Sequence, residues 1–301
     1  MWQAWHDALI TGDIKAVARC ISLVENEVPG YETFLAALPQ NNITKIIGLT
    51  GPPGAGKSTL ADALITEVLA DNKRVAVLCV DPSSPFNLGA VLGDRIRMSR
   101  WHTHPAVFIR SLATRGSMGG LNSKIIEITS LLKAAPFDYI LVETVGVGQS
   151  EIEIAGLADV TVVVLVPEGG DDVQTMKAGL MEIADIFVVN KSDRPGADAF
   201  VKNLRLMLAP AFTNHQREIP ILKTNAAQQK GITELYGVLK KLLADNRANE
   251  KQHWLLAEKA YQLIQQKRMQ DIDRKALALL IKKQPDFNLY QFVLNYTATN
   301  S

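Results

Sequence analysis

A lysine and two hydroxyl side chains close a glycine- and proline-rich stretch at residues 51–59, which reads GPPGAGKST. The stretch matches G-x-x-x-x-G-K-[ST] and stands between the apolar run KIIGLT at 45–50 and a helix predicted over 58–70. Glycines let backbone amides turn inward around a phosphate, and the following helix adds its positive end. We predict that a nucleotide is held by nine residues: Gly51, Pro52, Pro53, Gly54, Ala55, Gly56, Lys57, Ser58 and Thr59. Lys57 is expected to reach the terminal phosphates and Ser58 to ligate Mg²⁺.

A second motif indicates which base is bound. The stretch ADIFVVNKSD places Asn190, Lys191 and Asp193 directly after an apolar strand. An Asp carboxylate can accept two hydrogen bonds from guanine, and adenine lacks that pair of donors. We expect Asn190 to serve the other edge of the base and the Lys191 stem to lie along its plane. The motif therefore favours GTP over ATP.

A further base-contacting loop is expected in TNAAQQKGI at 224–232, which follows the next predicted strand. The expected backbone contacts come from Asn225, Ala226 and Ala227. Asn225 stands where a serine would be typical.

Three acids are placed to reach the phosphate edge of such a site. Asp81 ends VAVLCVD, Asp94 lies in GAVLGDRIRM, and Glu143 ends YILVE. A usual GTPase has D-x-x-G at the last position, whereas here Glu143 replaces the Asp and Gly146 is retained. Each acid taken alone is equally well a surface cap or a salt-bridge partner. We assign Ser58, Asp94 and Glu143 to the metal shell, directly or through water, and Asp81 to the attacking water or to the metal.

The whole chain has the composition of an ordinary globular protein. Its 301 residues are 47% hydrophobic and 21% charged with a net charge of +1, so no excess charge favours nucleic acid or a membrane surface. The sequence shows no secretory signal at its start and no apolar run of about 20 residues, so we expect a cytoplasmic protein. Cys20 and Cys79 are predicted to be thiols, with a disulfide as the alternative. His102 and His104 in WHTHP are a weak candidate for a metal site against a solvated loop.

Short apolar runs alternate with amphipathic ones from Ile43 onward. This alternation predicts an α/β fold with a doubly wound, mostly parallel sheet, whose ligands bind at the carboxyl ends of the strands. The strand candidates are 45–50, 74–81, 106–111, 138–144, 160–167, 185–191 and 219–225.

Helical segments flank this region on both sides. We predict an N-terminal helical extension at 1–42, a P-loop GTPase domain at 43–245 and a helical arm at 246–301. In the arm, Trp254, Leu255, Ala257, Tyr261 and Ile264 form a stripe that fits either packing on the same chain or a contact between subunits.

Taken in order over about residues 43–240, these motifs closely resemble the MeaB/ArgK family. They include GPPGAGKST, DPSSP, GAVLGDRIRM, RGSMGGL, ETVGVGQSE, GGDDVQTMKAGLMEIADIFVVNKSD and GITEL. The family comprises G-protein chaperones of adenosylcobalamin-dependent acyl-CoA mutases, including the human methylmalonic aciduria type A protein.

The resemblance implies a slow GTPase that its partner mutase stimulates and that gates cobalamin loading, protecting or reactivating the mutase. It also implies a homodimer whose C-terminal helices make much of the contact. Residues 168–179 resemble the third switch loop of the family. By this resemblance Lys177 stabilises developing phosphate charge when the partner orders the loop, and Asp171, Asp172 and Gln174 form the signalling face.

Two positions depart from the family pattern. Glu168 stands where glycine is more usual, and FNLGA at 86–90 replaces a more glycine-rich version. Both alter the stiffness of loops near the switches, so the timing of the switch cannot be copied from relatives.

Two rival functions remain open at this point. A GTP-dependent metallochaperone for nickel enzymes is the first, although such proteins usually carry Cys/His motifs that are not evident here. A scaffold that binds GTP only for stability is the second, and the lysine and acid constellation argues against it. The sequence contains no protein-kinase catalytic loop.

Overall fold

The structure is a computed structural model that describes nine ranges of the chain. These are residues 2–41, 43–81, 98–114, 121–146, 150–168, 178–212, 218–245, 250–284 and 287–296.

The centre of the protein is a sheet of seven parallel strands in the order β3-β2-β4-β1-β5-β6-β7. All seven predicted strands are confirmed, and among the described strands the sheet is entirely rather than mostly parallel. The strands are β1 (Lys45–Thr50), β2 (Val75–Asp81), β3 (Val107–Ala113), β4 (Tyr139–Glu143), β5 (Val160–Leu165), β6 (Ile186–Val189) and β7 (Ile221–Lys223). Every residue of β2 and β5 is buried, as expected for strands covered on both faces.

Twelve α-helices lie in the described ranges. They are α1 (Trp2–Ile10), α2 (Ile14–Glu25), α3 (Tyr31–Ala36), α4 (Lys57–Ala70), α5 (Ile125–Ala134), α6 (Ser150–Leu157), α7 (Ala178–Ile183), α8 (Ala197–Phe212), α9 (Ile232–Ala244), α10 (Glu250–Arg268), α11 (Arg274–Lys282) and α12 (Leu289–Asn295).

Alternate side chains of the central strands enter two separate cores. On one face, Val162 and Val164 of β5 pack with residues of α4 and α9. On the other, Val163 and Leu165 pack with residues of α7 and α8. Because successive strand residues point to opposite faces of the sheet, β5 contributes side chains to both cores.

The N-terminal segment differs from its predicted pattern in one detail. The helical spacing over residues 2–24 is divided between α1 and α2, because Gly12 takes a φ of 84° and Asp13 caps α2 by accepting a hydrogen bond from the amide of Ala16 at 2.9 Å. An ion pair of 2.7 Å between Glu25 and Arg110 then joins α2 to β3.

The chain consists of two compact units, residues 1–252 and residues 253–301. The first unit contains the N-terminal helices together with the sheet. In the second unit, α11 and α12 contain no buried residue, and none is buried in α10 either. The boundaries predicted at residues 42 and 245 remain a proposal about domain organisation.

The two cysteines of the first unit are buried thiols and not a disulfide. Burial raises the pKa of the Cys20 thiol to about 11. In the part of the chain that the structure describes, no helix is both long enough and apolar enough to span a membrane.

Candidate functional site

At two positions in the loop between β1 and α4, the backbone passes so close to other atoms that only glycine fits. Gly51 has a φ of 135°, and a Cβ there would lie 2.1 Å from the carbonyl oxygen of Val164. Gly56 caps α4 with a φ of 89°, and a Cβ there would lie 2.4 Å from Nδ2 of Asn190. Gly54, with a φ of 79°, faces open space. The loop therefore presents a backbone cradle at the start of α4, the arrangement that phosphate groups bind.

Lys57 lies across the inside of this cradle. Its side chain is buried, and Nζ donates hydrogen bonds to the carbonyl oxygens of Gly51 at 2.9 Å and Pro52 at 3.1 Å. A Cβ at Gly146 would approach Nζ to 2.7 Å. The retained glycine of the ETVG stretch thus leaves room for the ammonium group beside the loop.

Ser58 and Glu143 meet at the carboxyl edge of the sheet. The Ser58 hydroxyl donates a 2.7 Å hydrogen bond to Oε1 of Glu143, and both side chains are buried. Asp81 ends β2, which pairs with β4 so that Cys79 is level with Glu143. Asp81 is also buried. The structure therefore brings three of the four predicted metal-shell residues to one edge, while Asp94 lies outside the described residues.

These groups fit a magnesium ion by their chemistry. Mg²⁺ prefers oxygen ligands and is usually bound by one or two protein side chains, with waters and substrate phosphates completing its shell. A serine hydroxyl in contact with a buried carboxylate, at the start of a P-loop helix, supplies that kind of donor set. Within the described ranges no group of three or more His, Cys, Asp or Glu side chains could hold a metal by itself.

Asp193 is exposed and follows the two residues that contact the P-loop, Asn190 and Lys191, by three and two positions. Its Oδ1 accepts a 2.7 Å hydrogen bond from Nδ2 of Asn225, whose own Oδ1 accepts from the amide of Gln228 at 3.2 Å. Asn225 begins the 3-10 turn Ala226–Gln228, and Ala227 is exposed in that turn. The asparagine found in place of a serine therefore positions the carboxylate predicted to bind guanine.

Asn190 braces the loops around the base site. Its Nδ2 donates to the carbonyl oxygen of Ala55 at 2.9 Å, and its Oδ1 accepts from the amide of Ala226 and the Thr224 hydroxyl, each at 3.1 Å. Its side chain thus binds protein groups on both sides, which supports a positioning role in addition to the predicted contact with the base, for which the NH₂ group has a second hydrogen. Sequence reasoning did not assign Thr224, although its place directly after β7 was a usable signal.

Lys191 also contacts the P-loop. Its φ is 54°, in the left-handed region, and its Nζ donates to the carbonyl oxygen of Gly54 at 2.8 Å. Two successive residues of the NKSD stretch therefore contact the P-loop, and the first of them, Asn190, also contacts Thr224 and Ala226.

Glu168, one of the departures from the family pattern, forms an ion pair with Arg194. The hydrogen bond from the Arg194 guanidinium lowers the pKa of the Glu168 carboxyl from its ordinary value. Both side chains are about half exposed, so the pair adds little stability. The ion pair links the residues that follow β5 to Arg194, the residue directly after Asp193.

Other predicted residues fall outside the described ranges or away from the site. Lys177, Asp171, Asp172, Gln174 and the stretch 86–90 are outside the described residues. His104 accepts a 3.2 Å hydrogen bond at Nδ1 from the amide of Ala106, which favours a structural loop over a metal site.

Comparison with known proteins supports the assignment made from these groups. A family model described as methylmalonyl-CoA mutase-associated GTPase MeaB matches residues 17–278. A Pyrococcus abyssi protein assigned as a GTPase is 52% identical over 234 residues, covering 76% of this chain and 72% of that protein. A fused isobutyryl-CoA mutase of Geobacillus kaustophilus is 35% identical over 236 residues, covering 74% of this chain and 22% of that protein.

A solved structure shows the same fold. The crystal structure of a LAO/AO transport system kinase superposes with a TM-score of 0.68 at 26% identity, covering 97% of this chain and 95% of the other. The P-loop, the guanine-binding motif and the extent of the family match lead to one conclusion: the chain belongs to the MeaB family of methylmalonyl-CoA mutase-associated GTPases and is a GTPase that binds GTP and GDP.

Proposed function

We propose that this GTPase is a chaperone of an adenosylcobalamin-dependent acyl-CoA mutase, which gates cofactor loading and protects or reactivates the mutase. The observation that carries the proposal is the family match, which extends over most of the chain and names a mutase-associated GTPase. The similarity to a fused isobutyryl-CoA mutase supports a partner of the same enzyme class.

The chain's own residues have distinct tasks in the proposed reaction. Lys57 turns from the carbonyl oxygens of Gly51 and Pro52 to the phosphates, where its positive charge offsets the charge of the transferred group. Asp81 orients the attacking water, and its burial keeps its carboxylate in a defined position. Asp193 selects guanine.

We assign the magnesium ion to the edge formed by Ser58 and Glu143. The ion would neutralise charge on the phosphate oxygens. Glu143 accepts the hydrogen bond of the Ser58 hydroxyl, which fixes the direction of the serine oxygen at the start of α4.

Communication with the mutase is assigned to residues 168–179. Glu168 begins this segment and is paired with Arg194, next to the base-binding Asp193. Lys177 remains a predicted catalytic group that enters the site when the partner orders the segment.

Addition of a purified mutase tests this function directly. Methylmalonyl-CoA mutase or isobutyryl-CoA mutase is expected to bind the protein and raise GTP turnover at least about tenfold, equivalent to about 1.4 kcal/mol of activation free energy. Turnover is measured by phosphate release and binding by sedimentation.

The control reactions contain serum albumin in place of the mutase, or Lys57→Ala in place of the wild-type chain. Absence of both binding and stimulation with either mutase would contradict the chaperone function while leaving the GTPase assignment intact. Tight, stoichiometric uptake of Ni²⁺ would instead support the nickel metallochaperone.

We also propose that residues 246–301 form the contact of a homodimer. Large apolar side chains of this segment are exposed: Trp254 by 65%, Tyr261 by 64% and Tyr290 by 79%. Exposed apolar residues in such number are typical of protein interfaces. A second copy of the chain can bury them by an isologous contact.

Sedimentation equilibrium measures the predicted dimer. The wild-type chain is expected at twice its mass of 33.0 kDa, and Trp254→Glu is expected to lower the population of dimer because the interface would bury a charge. Gln252→Glu adds the same charge two residues before Trp254, on the opposite side of α10, and should leave the dimer intact. A wild-type monomer at all concentrations would rule out this proposal.

A further inference from the structure

Two buried hydroxyl groups meet where β1 and β4 end. The Thr144 hydroxyl donates a 3.0 Å hydrogen bond to the hydroxyl oxygen of Thr50, and the two residues are 1% and 0% exposed. Thr50 is the last residue of β1, and Thr144 directly follows the last residue of β4. The amide of Thr144 also donates to the carbonyl oxygen of Leu49 at 3.0 Å. One side-chain contact and one backbone contact therefore join the two strand ends.

The chain on the β1 side of this pair leads directly into the P-loop. The residue after Thr50 is Gly51, whose carbonyl oxygen accepts a hydrogen bond from Nζ of Lys57 at 2.9 Å. A Cβ at Gly146, two residues after Thr144, would lie 2.1 Å from that same carbonyl oxygen. The chain that follows Thr144 therefore stays in contact with the P-loop as far as the glycine of the ETVG stretch.

The threonine pair and the Glu143 carboxylate lie on opposite faces of the sheet. Glu143 accepts the hydrogen bond of Ser58 at the start of α4, and Leu49, which is level with Glu143, belongs to the core that includes α4. Successive residues of a strand point to opposite faces, so Thr50 and Thr144 are directed to the other face. The end of β4 is thus held by Ser58 on one face and by Thr50 on the other.

The expected contribution of such a pair is to position rather than to net stability. A hydrogen bond between neutral groups contributes little net free energy, and replacement of both partners by apolar groups of the same shape can be nearly neutral. The bond nevertheless requires a distance of about 3 Å and a restricted direction. The pair therefore fixes where the end of β4 lies relative to the P-loop.

We propose that Thr50 and Thr144 are positioning residues for GTP hydrolysis, which hold Glu143 and Gly146 at fixed distances from the P-loop through the bond between their hydroxyl groups. The proposal rests on the assignment of Glu143 to the phosphate edge. It goes beyond that assignment by naming the contact that holds the end of β4 from the opposite face. It concerns hydrolysis by the chain alone and does not depend on the mutase.

The opposite ends of the same two strands offer a matched control. Thr44 directly precedes β1, and its hydroxyl donates a 2.7 Å hydrogen bond to the carbonyl oxygen of Phe137, two residues before β4. Thr44 is 1% exposed, as Thr144 is. It therefore joins the same strands through the same kind of group, but at their amino ends, about 20 Å from the P-loop along β1.

The test compares Thr144→Val, Thr144→Ser and Thr44→Val for the turnover number for GTP, the affinity for GDP and the melting temperature. Thr144→Val keeps the shape of the side chain and removes its hydroxyl. It is expected to lower the turnover number about tenfold, since small displacements of catalytic groups have effects up to about 10²-fold. The affinity for GDP should stay within about threefold of wild type, because base recognition is assigned to Asp193. Thr144→Ser retains the hydroxyl and should restore turnover to within about threefold of wild type.

The control variant separates a loss of position from a loss of stability. Thr44→Val should lower the melting temperature about as much as Thr144→Val does, since each leaves one buried polar partner without its hydrogen bond. It should leave turnover within about twofold of wild type. The double variant Thr50→Val/Thr144→Val should be no slower than the slower single variant, because all three remove the same contact.

Wild-type turnover in Thr144→Val would overturn the proposal, as would an equal loss of turnover in Thr44→Val. If Thr144→Val does not fold, Thr50→Val removes the same contact and Thr50→Ser retains it, and this pair of variants decides the question by the same criteria. Glu143→Gln keeps the failures distinct. Slow hydrolysis by Glu143→Gln with normal turnover in Thr144→Val would refute only the positioning role, whereas normal turnover in both would refute the assignment of Glu143 as well.

Discussion

Replacement of Asp81 by alanine is expected to lower the turnover number for GTP by at least about 10²-fold, the usual contribution of a positioned acid or base. Asp81 ends β2 beside β4, whose last residue, Glu143, contacts Ser58. Its buried carboxylate can orient water but makes no contribution to holding the guanine base. The affinity for GDP should therefore stay within about twofold of wild type, because only an interaction made in the transition state is removed.

Single-turnover hydrolysis and titration with fluorescent GDP separate these two effects. Asp81→Asn preserves the volume of the side chain and should be nearly as slow as Asp81→Ala. Asp159→Ala removes a carboxylate at the opposite end of the strands, where it accepts a 2.7 Å hydrogen bond from the amide of Ile46, and should leave turnover close to wild type. An unchanged turnover rate in Asp81→Ala would refute the assigned role.

Replacement of Asp193 by asparagine is expected to weaken GTP binding by about 10²–10⁴-fold, because two hydrogen bonds to a charged acceptor contribute about 1.5–3 kcal/mol each. The contact from Nδ2 of Asn225 to Oδ1 of Asp193 predicts how the new amide is oriented. Its oxygen accepts from Asn225, and its nitrogen then faces the base. A donor at that position suits xanthine, which has a carbonyl where guanine has an amine.

Titrations of Asp193→Asn with GTP, XTP and ATP measure this change of specificity. Asp198→Asn is the matched control, since Asp198 is an exposed acid on the following helix that pairs with Lys223 at 2.7 Å. That control should bind GTP as the wild type does. GTP affinity equal to wild type in Asp193→Asn would mean that the base is recognised elsewhere.

These two variants test the chemistry of the site from opposite ends. Asp81 is buried at the edge predicted to bind phosphate, and Asp193 is exposed at the edge predicted to bind the base. Asn190 and Lys191 connect the two edges through Ala55 and Gly54 of the P-loop.

The local sequence was sufficient to predict the seven strands and the loop between β1 and α4. Strands buried on both faces require continuous apolar runs, and the P-loop requires glycines at fixed spacing before a lysine, so both leave a pattern within about ten residues. The same reasoning predicted Glu143 and Asp81 at the carboxyl ends of two strands, where the structure has them, because ligands of a parallel sheet gather at those ends.

The sequence could not assign partners that are distant along the chain. Asn190 was predicted to contact the base, and only the tertiary structure showed its amide between Ala55 and Ala226, which are 135 and 36 residues away. The effect of Asn225 in place of serine depended equally on its contact with Asp193, 32 residues before it. Such contacts follow from the order of strands, which no local pattern records.

By itself, then, the sequence determined the parallel sheet and predicted the residue types for holding phosphate and selecting guanine, because each of these leaves a short-range pattern. The tertiary structure decided which side chains position the others. It placed Asn225 on Asp193 and Glu143 on Ser58. The physical reason is that a hydrogen bond depends on distances of about 3 Å in space, and those distances exist only after residues far apart in the chain have packed together.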